Sequence, residues 1–391
     1  MDGKVEMTAE AQASHLSTIN QAILTPLVRS ALHSNSIEVL CWDYEQLHGG
    51  AGVGSAIYRF AGQGSEQGLK IPWSLILKVF YPGNDDIDTS DWNYYKREVD
   101  AYQSGWLDDL PGNLAAPRSF ATVEFPDGVC WNWLEEITDD IGSQWPLEHY
   151  GVVARHLGRF NGAYLTGCGL PSWPWLSSGW LQKYVVRNAS AMPLLQNSLK
   201  HPLVRRWLPG DVGDNLLRLW GERGTFLKAL DQLPQTLCHR DAFRRNLFAQ
   251  RQAAGDVQTI VIDWAFCGQG AIGEELVPLI QADLFFFEVD LAQAKMLEEI
   301  IFAGYIGGLR DAGWQGDSRQ VRLGYAAAAS LRYNFGEMGR VLAVILDETR
   351  HPVFHQIFGH SIEDTLDLWG EINLSFAGLI DEARSLIDIQ D

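Results

Sequence analysis

The stretch Leu237-Cys238-His239-Arg240-Asp241-Ala242-Phe243-Arg244-Arg245-Asn246-Leu247, followed by the apolar run Ile260-Val261-Ile262 into Asp263-Trp264, decides how this chain is read. Asp241 and Asn246 stand five residues apart, so one tight loop can aim a carboxylate one way and an amide oxygen another. Asp263 closes a strand-like run and can approach the same point from the facing side. Phosphoryl transfer needs such a set. One carboxylate receives or orients the attacking hydroxyl, while an amide oxygen and a second carboxylate hold Mg²⁺ against nucleotide phosphates. An Asp N-cap, a buried Asn and an Asp opening a turn would also read this way one at a time, but account less well for the three together.

The segment resembles the H-x-D-x-x-x-x-N catalytic loop and metal-binding Asp of the protein-kinase-like superfamily. It is most similar to the small-molecule branch, the aminoglycoside phosphotransferases and choline kinases. That branch typically carries Asp-Trp or a similar pair where protein kinases have Asp-Phe-Gly, and Asp263-Trp264 follows it. Protein kinases also need a long activation segment ending in Ala-Pro-Glu. Here only Ala265 to Gly273 precede a helix expected near Glu274, and no Ala-Pro-Glu follows, which argues against a protein substrate.

The resemblance implies ATP and Mg²⁺ as cofactors and a small hydroxylated molecule as substrate. Asp241 would be the catalytic base, and Asn246 and Asp263 the metal ligands. Upstream it implies a glycine-rich phosphate loop, for which His48 to Ser55 supplies Gly50, Gly52 and Gly54. No Gly-Lys-Ser/Thr follows, so this is not a Walker A loop. Lys78, a lone cation in Ser74-Leu75-Ile76-Leu77-Lys78-Val79-Phe80, must find partners if buried. The resemblance pairs it with Glu98, twenty residues on, and with nucleotide phosphates. Leu134, Glu135 and Ile137, where the first lobe passes into the second, would line the adenine site.

Four positions depart from the small-molecule pattern. Arg240 stands where that branch commonly has Gly. Arg244 and Arg245 put two cations in the loop, open to either a phosphate-neutralising or a structural role. Glu275 stands where the branch often has Asp.

Around this stretch the chain divides into a sheet-rich and a helix-rich part. Apolar residues at helical spacing over 8 to 33 suggest one amphipathic helix capping the first lobe. Short β-branched and aromatic runs from Ile37 to about Leu134 read as an antiparallel sheet, interrupted by a helix over roughly Ser90 to Ser104, where Trp92, Tyr95, Val99 and Tyr102 recur. Gly62 to Gly68 reads as a loose hairpin loop. After Pro146 the periods are helical, with β character returning around 236 to 264. The expected fold is α+β: a bilobal protein-kinase-like fold with an antiparallel five-stranded N-lobe, one helix in it, and a mainly helical C-lobe. Its parts would be an N-terminal helical extension (1–35), an ATP-binding lobe (36–138) and a helical lobe (139–391) with the catalytic loop and substrate site.

The chain has 391 residues, 46% of them apolar, and a net charge of −19. Such acidity disfavours nucleic acid and anionic membrane as partners. By count roughly 20 acidic against 8 basic residues follow Phe266, which is compatible with a cationic acceptor such as an aminoglycoside or a choline-like amine. Five scattered cysteines with no C-x-x-C pair, no signal-like N-terminus and no long apolar run fit a soluble, cytoplasmic protein. His351 and His355 stand four apart, but without a H-E-x-x-H glutamate and with Pro352 between them they make a poor metal site. Trp173-Pro174-Trp175 and Trp180 read better as core packing or a lid than as a substrate wall. The other functional class is a nucleotide-binding regulatory pseudokinase. A retired enzyme has no chemical need for Asp241, Asn246 and Asp263 together.

Overall fold

In the computed structural model, residues 15–47, 55–83, 87–253 and 255–390 are described. The first lobe is a five-stranded sheet in the order β1-β2-β3-β6-β5, with every neighbouring pair antiparallel. Its strands are β1 (Glu38–Leu47), β2 (Ser55–Glu66), β3 (Leu69–Phe80), β5 (Ser119–Glu124) and β6 (Cys130–Leu134), while the short β4 (Leu114–Ala115) lies elsewhere. Because strand side chains alternate, Leu75, Leu77 and Val79 enter a core with Phe60, Trp131 and Trp133, while Lys78 and Phe80 face the other way. The helix Gln21–Ala31 closes that core with Leu24, Leu27 and Val28.

Three expectations are corrected here. The leading helix is not continuous: residues 15–16 are helical, the chain turns over 17–20, and a second helix begins at Gln21, where the Asn20 side chain accepts from the Ala22 and Ile23 amides and so caps it; residues before 15 lie outside the described ones. Gly62 to Glu66 is strand, not loop. Register runs to Glu66 opposite Leu69, and the turn is the pair Gln67-Gly68 with φ of 51° and 81°, the left-handed geometry a two-residue hairpin uses. Of the span 90–104 only Arg97–Gln103 is regular α-helix. Before it, the carbonyls of Thr89, Asp91 and Trp92 turn in upon the Arg97 side chain instead of along a helix axis.

The second lobe is helical. The helices Leu147–Thr166 and Ala294–Asp311 cross so closely that a Cβ at Gly308 would lie 2.0 Å from the Arg155 carbonyl, and one at Gly158 2.2 Å from that of Tyr305. Against them stand the long helices Val212–Gln232, Ser318–Gly336 and Ile362–Gln390. Two small sheets lie at the junction. β7 (Gln235–Cys238) pairs with β10 (Gly268–Ala271), and β8 (Leu247–Arg251) pairs with β9 (Val257–Val261), which β4 joins in parallel. Trp175 and Trp180 are buried in the main core. No helix among the described residues is long and apolar enough to cross a membrane.

Candidate active site

The loop from β7 to β8 is held from behind. Glu275, fully buried, accepts from the His239 amide (2.6 Å) and the Arg240 amide (2.9 Å), so its carboxylate fixes the peptides leading to Asp241. Arg240 has φ 68°, a left-handed conformation that glycine adopts without cost. This explains why glycine is common there in the resembling branch. In this chain the arginine side chain holds the turn instead: buried, it donates to Glu274 (2.9 Å), Ser177 Oγ (2.8 Å) and the Gln269 carbonyl.

His239 ties the loop to the end of β9. Its Nδ1 accepts from the Asp241 amide (3.1 Å), so Nε2 carries the proton and donates to the Ile262 carbonyl (3.0 Å). Burial pushes its pKa down to about 4, which keeps that neutral tautomer. The Ile262 amide in turn donates to the Asn246 carbonyl (3.0 Å), closing the loop onto the strand that delivers Asp263.

Asp241 is aimed by two donors. Asn246 Nδ2 reaches its Oδ2 (2.9 Å), and Arg332 Nη2 reaches its Oδ1 (3.2 Å) while Nη1 holds the Arg240 carbonyl. Burial raises the Asp241 pKa to about 7, against the opposing pull of Arg332.

On the sheet side, Lys78 Nζ donates to Glu98 Oε2 (2.5 Å) and Asp263 Oδ1 (3.0 Å). Burial opposes the ammonium, but the Asp263 and Glu98 carboxylates outweigh it and raise its pKa above the ordinary lysine value. Burial lifts Glu98 to about 7. Asp263, with φ 64°, is also disfavoured by burial, yet Lys78 beside it holds it below the usual carboxylate range.

The structure thus brings together Lys78, Glu98, Asp241, Asn246 and Asp263. Leu134 is buried at the end of β6, Ile137 is half-buried, and Glu135 bonds with Arg118: its amide donates to the Arg118 carbonyl (2.9 Å) and its Oε1 accepts from Arg118 Nη2 (3.1 Å). The loop with Gly50, Gly52 and Gly54 lies outside the described residues. The two loop arginines have other partners. Arg244, buried, reaches Asp139 (3.0 Å) and the carbonyls of Gly142 and Leu247, while the exposed Arg245 pairs with Glu288 (2.6 Å).

Sequence reasoning missed Arg332 and Asp283. Arg332 is a lone cation following the run Ala326 to Ala329, all buried, and a charge on such a helix face must have a partner. Asp283, equally buried, accepts from the Arg244 amide (2.8 Å) and so fixes the loop between Asp241 and Asn246.

Residues 187–313 match the phosphotransferase enzyme family, a span that contains Asp241, Asn246 and Asp263. The resemblance read from the catalytic loop is thereby borne out. Among solved structures the chain is similar to a choline kinase from Cryptosporidium parvum Iowa II, with a TM-score of 0.52 at 13% identity over 94% of this chain and 99% of that one. It is also similar to an amicoumacin kinase in complex with AMP-PNP and Ca²⁺ (TM-score 0.49, 13% identity, 94% and 100% covered). An aminoglycoside 2′-phosphotransferase bound to GDP is similar too (0.48, 14%, 92% and 100%). No curated protein sequence matches. The fold is therefore the expected bilobal kinase-like one, and the family match over residues 187–313 supports a phosphotransferase.

Proposed function

We propose that this protein is an ATP-dependent kinase that transfers a phosphoryl group to a hydroxyl of a small molecule, with Asp241 as base. The observation that carries this reading is the convergence of Asp241, Asn246 and Asp263 beside the buried Lys78–Glu98 pair, each held by bonds within the chain.

The donor set suits Mg²⁺. Asn246 spends its amide nitrogen on Asp241, which leaves its carbonyl oxygen, and Asp263 has an oxygen not bonded to Lys78. Both are hard oxygen donors. Bound there, Mg²⁺ would neutralise phosphate charge. Lys78 would hold the nucleotide phosphates, with Glu98 fixing its direction. Asp241, pinned on both oxygens, would orient the acceptor hydroxyl and take its proton. The acidity of the last third of the chain favours a cationic acceptor.

The test is ADP release with ATP, Mg²⁺ and a panel of cationic and neutral alcohols, in the native chain and in Asp241→Asn. We expect one class to stimulate release, and the variant to lose that stimulation. Binding of Mg-ATP without turnover on a broad panel would favour a regulatory nucleotide-binding protein instead.

A further inference from the structure

Arg97, the residue before Glu98, is wholly buried, and no ion pair reaches it among the described residues. A guanidinium has five N–H groups, and here all five are spent on backbone carbonyls. Nε donates to Trp175 (2.7 Å). Nη1 donates to Ala265 (2.8 Å) and Trp92 (3.3 Å), and Nη2 to Thr89 (3.1 Å) and Asp91. Burial brings its pKa down to about 10, which still leaves it charged at neutral pH.

These carbonyls come from three places. Thr89, Asp91 and Trp92 belong to the turns entering the Glu98 helix. Ala265 lies two residues past Asp263. Trp175 lies in the strap Trp173–Ser178 at the second lobe. Further bonds run along the same seam: Thr89 Oγ1 donates to the Pro174 carbonyl (2.8 Å), and Lys183 pairs with Asp91 (2.5 Å). The strap is gripped from its other side by Arg240, whose Nη1 reaches Ser177 Oγ, one residue from Asp241.

We propose that Arg97 is a positioning residue, a latch that holds the Glu98 helix against the Asp263 segment and the strap. The Lys78–Glu98 pair then stands assembled before nucleotide binds. The functional meaning of the latch rests on the kinase reading; its existence does not. A guanidinium whose only task was to fill the core would not need to join the segments on both sides of one ion pair. Here its sequence neighbour is Glu98 and its ligand Ala265 is two residues from Asp263, the two carboxylates that Lys78 bridges.

The test is hydrogen exchange of residues 97–103 with and without Mg-ATP, combined with a double-mutant cycle. In the full native chain we expect this helix to be protected without nucleotide and to change less than about twofold on adding it. In Arg97→Lys, which cannot make five bonds, exchange should rise at least about tenfold and Mg-ATP should reverse it. The KM for ATP should rise more than the KM for the acceptor. Adding Arg97→Lys to Glu98→Gln should raise the ATP KM no further than the worse single variant does. Should Arg97→Lys not fold, Lys183→Met, which breaks the half-exposed tie to Asp91, reads the same exchange with a smaller rise. A native helix that is unprotected until nucleotide arrives would overturn the proposal, and so would effects of Arg97 and Glu98 on ATP KM that multiply. An unprotected helix in Lys183→Met that nucleotide cannot restore would do the same. Absence of turnover with the exchange pattern intact would sink the kinase reading and leave the latch standing.

Discussion

Two charge clusters meet near Asp263, and they are built in opposite ways. The Lys78–Glu98–Asp263 cluster closes on itself, with one cation between two carboxylates: Lys78 stands on β3, Glu98 on the helix Arg97–Gln103, and Asp263 two residues past β9. The Asp241–Asn246–Arg332 cluster is open: its cation comes from a helix 91 residues downstream. The difference teaches how each charge is paired: the Lys78 ammonium answers to two carboxylates at once, whereas the Arg332 guanidinium reaches Asp241 across the second lobe from the helix Ser318–Gly336.

The largest expected effect breaks the closed cluster. Lys78→Met leaves Glu98 and Asp263 facing each other without their cation, and removing one partner of a buried ion pair costs about 3 kcal/mol or more. Urea unfolding should show that loss. Glu98→Gln, which removes one of the carboxylates instead, should cost less than Lys78→Met.

Close behind comes the scaffold both clusters share. His156 is buried, its Nδ1 2.9 Å from the Thr259 hydroxyl on β9, the strand that delivers Asp263. Burial, with nearby Arg159 adding to it, lowers its pKa from 6.5 to about 4. The unfolded chain therefore binds this proton more readily between those values. Stability contributed by the neutral form is present above pH 6.5 and is lost as pH falls through that window, by about 3 kcal/mol in all. Unfolding curves at pH 7 and pH 4 check this, and His156→Gln should flatten the slope by that share.

Arg332→Met should break the open cluster while sparing the closed one. With one of two donors to Asp241 gone, kcat should fall about 10- to 100-fold and the KM for ATP should stay within about twofold, since that donor acts on the base and not on the nucleotide. A rise in ATP KM equal to the fall in kcat would show that the clusters are not separate. The smallest effect sharpens the contrast by touching neither cluster: Gln67→Asn in the β2–β3 turn should add a few tenths of a kcal/mol, since asparagine tolerates positive φ better than glutamine. Activity should not move.

The sequence was legible where a lone polar residue interrupts an apolar pattern. Lys78 within β3 announces itself because a buried charge needs a partner and strand alternation fixes its side, and Asp263 because it follows the apolar run of β9 in step with the catalytic-loop motif. The five-stranded sheet was legible for the same reason. Arg240, Glu275 and Arg332 were harder. The positive φ at Arg240 is a backbone property that its side chain does not advertise, and the carboxylate of Glu275 is defined by which amides it accepts from 35 and 36 residues away. Arg332 carries a faint signal, a cation after four buried alanines, but no spacing rule connects it to Asp241. Helix ends failed where side chains competed for the backbone, at the Asn20 cap and at the carbonyls drawn in by Arg97.

The most direct test of the central claim, that one cluster holds the nucleotide and the other performs the transfer, is Mg-ATP affinity measured calorimetrically alongside turnover in Asp241→Asn. The account predicts affinity within about threefold of the native chain, with turnover reduced roughly a thousandfold, the scale of a lost general base. Turnover persisting near the native level in a variant that still folds would contradict it.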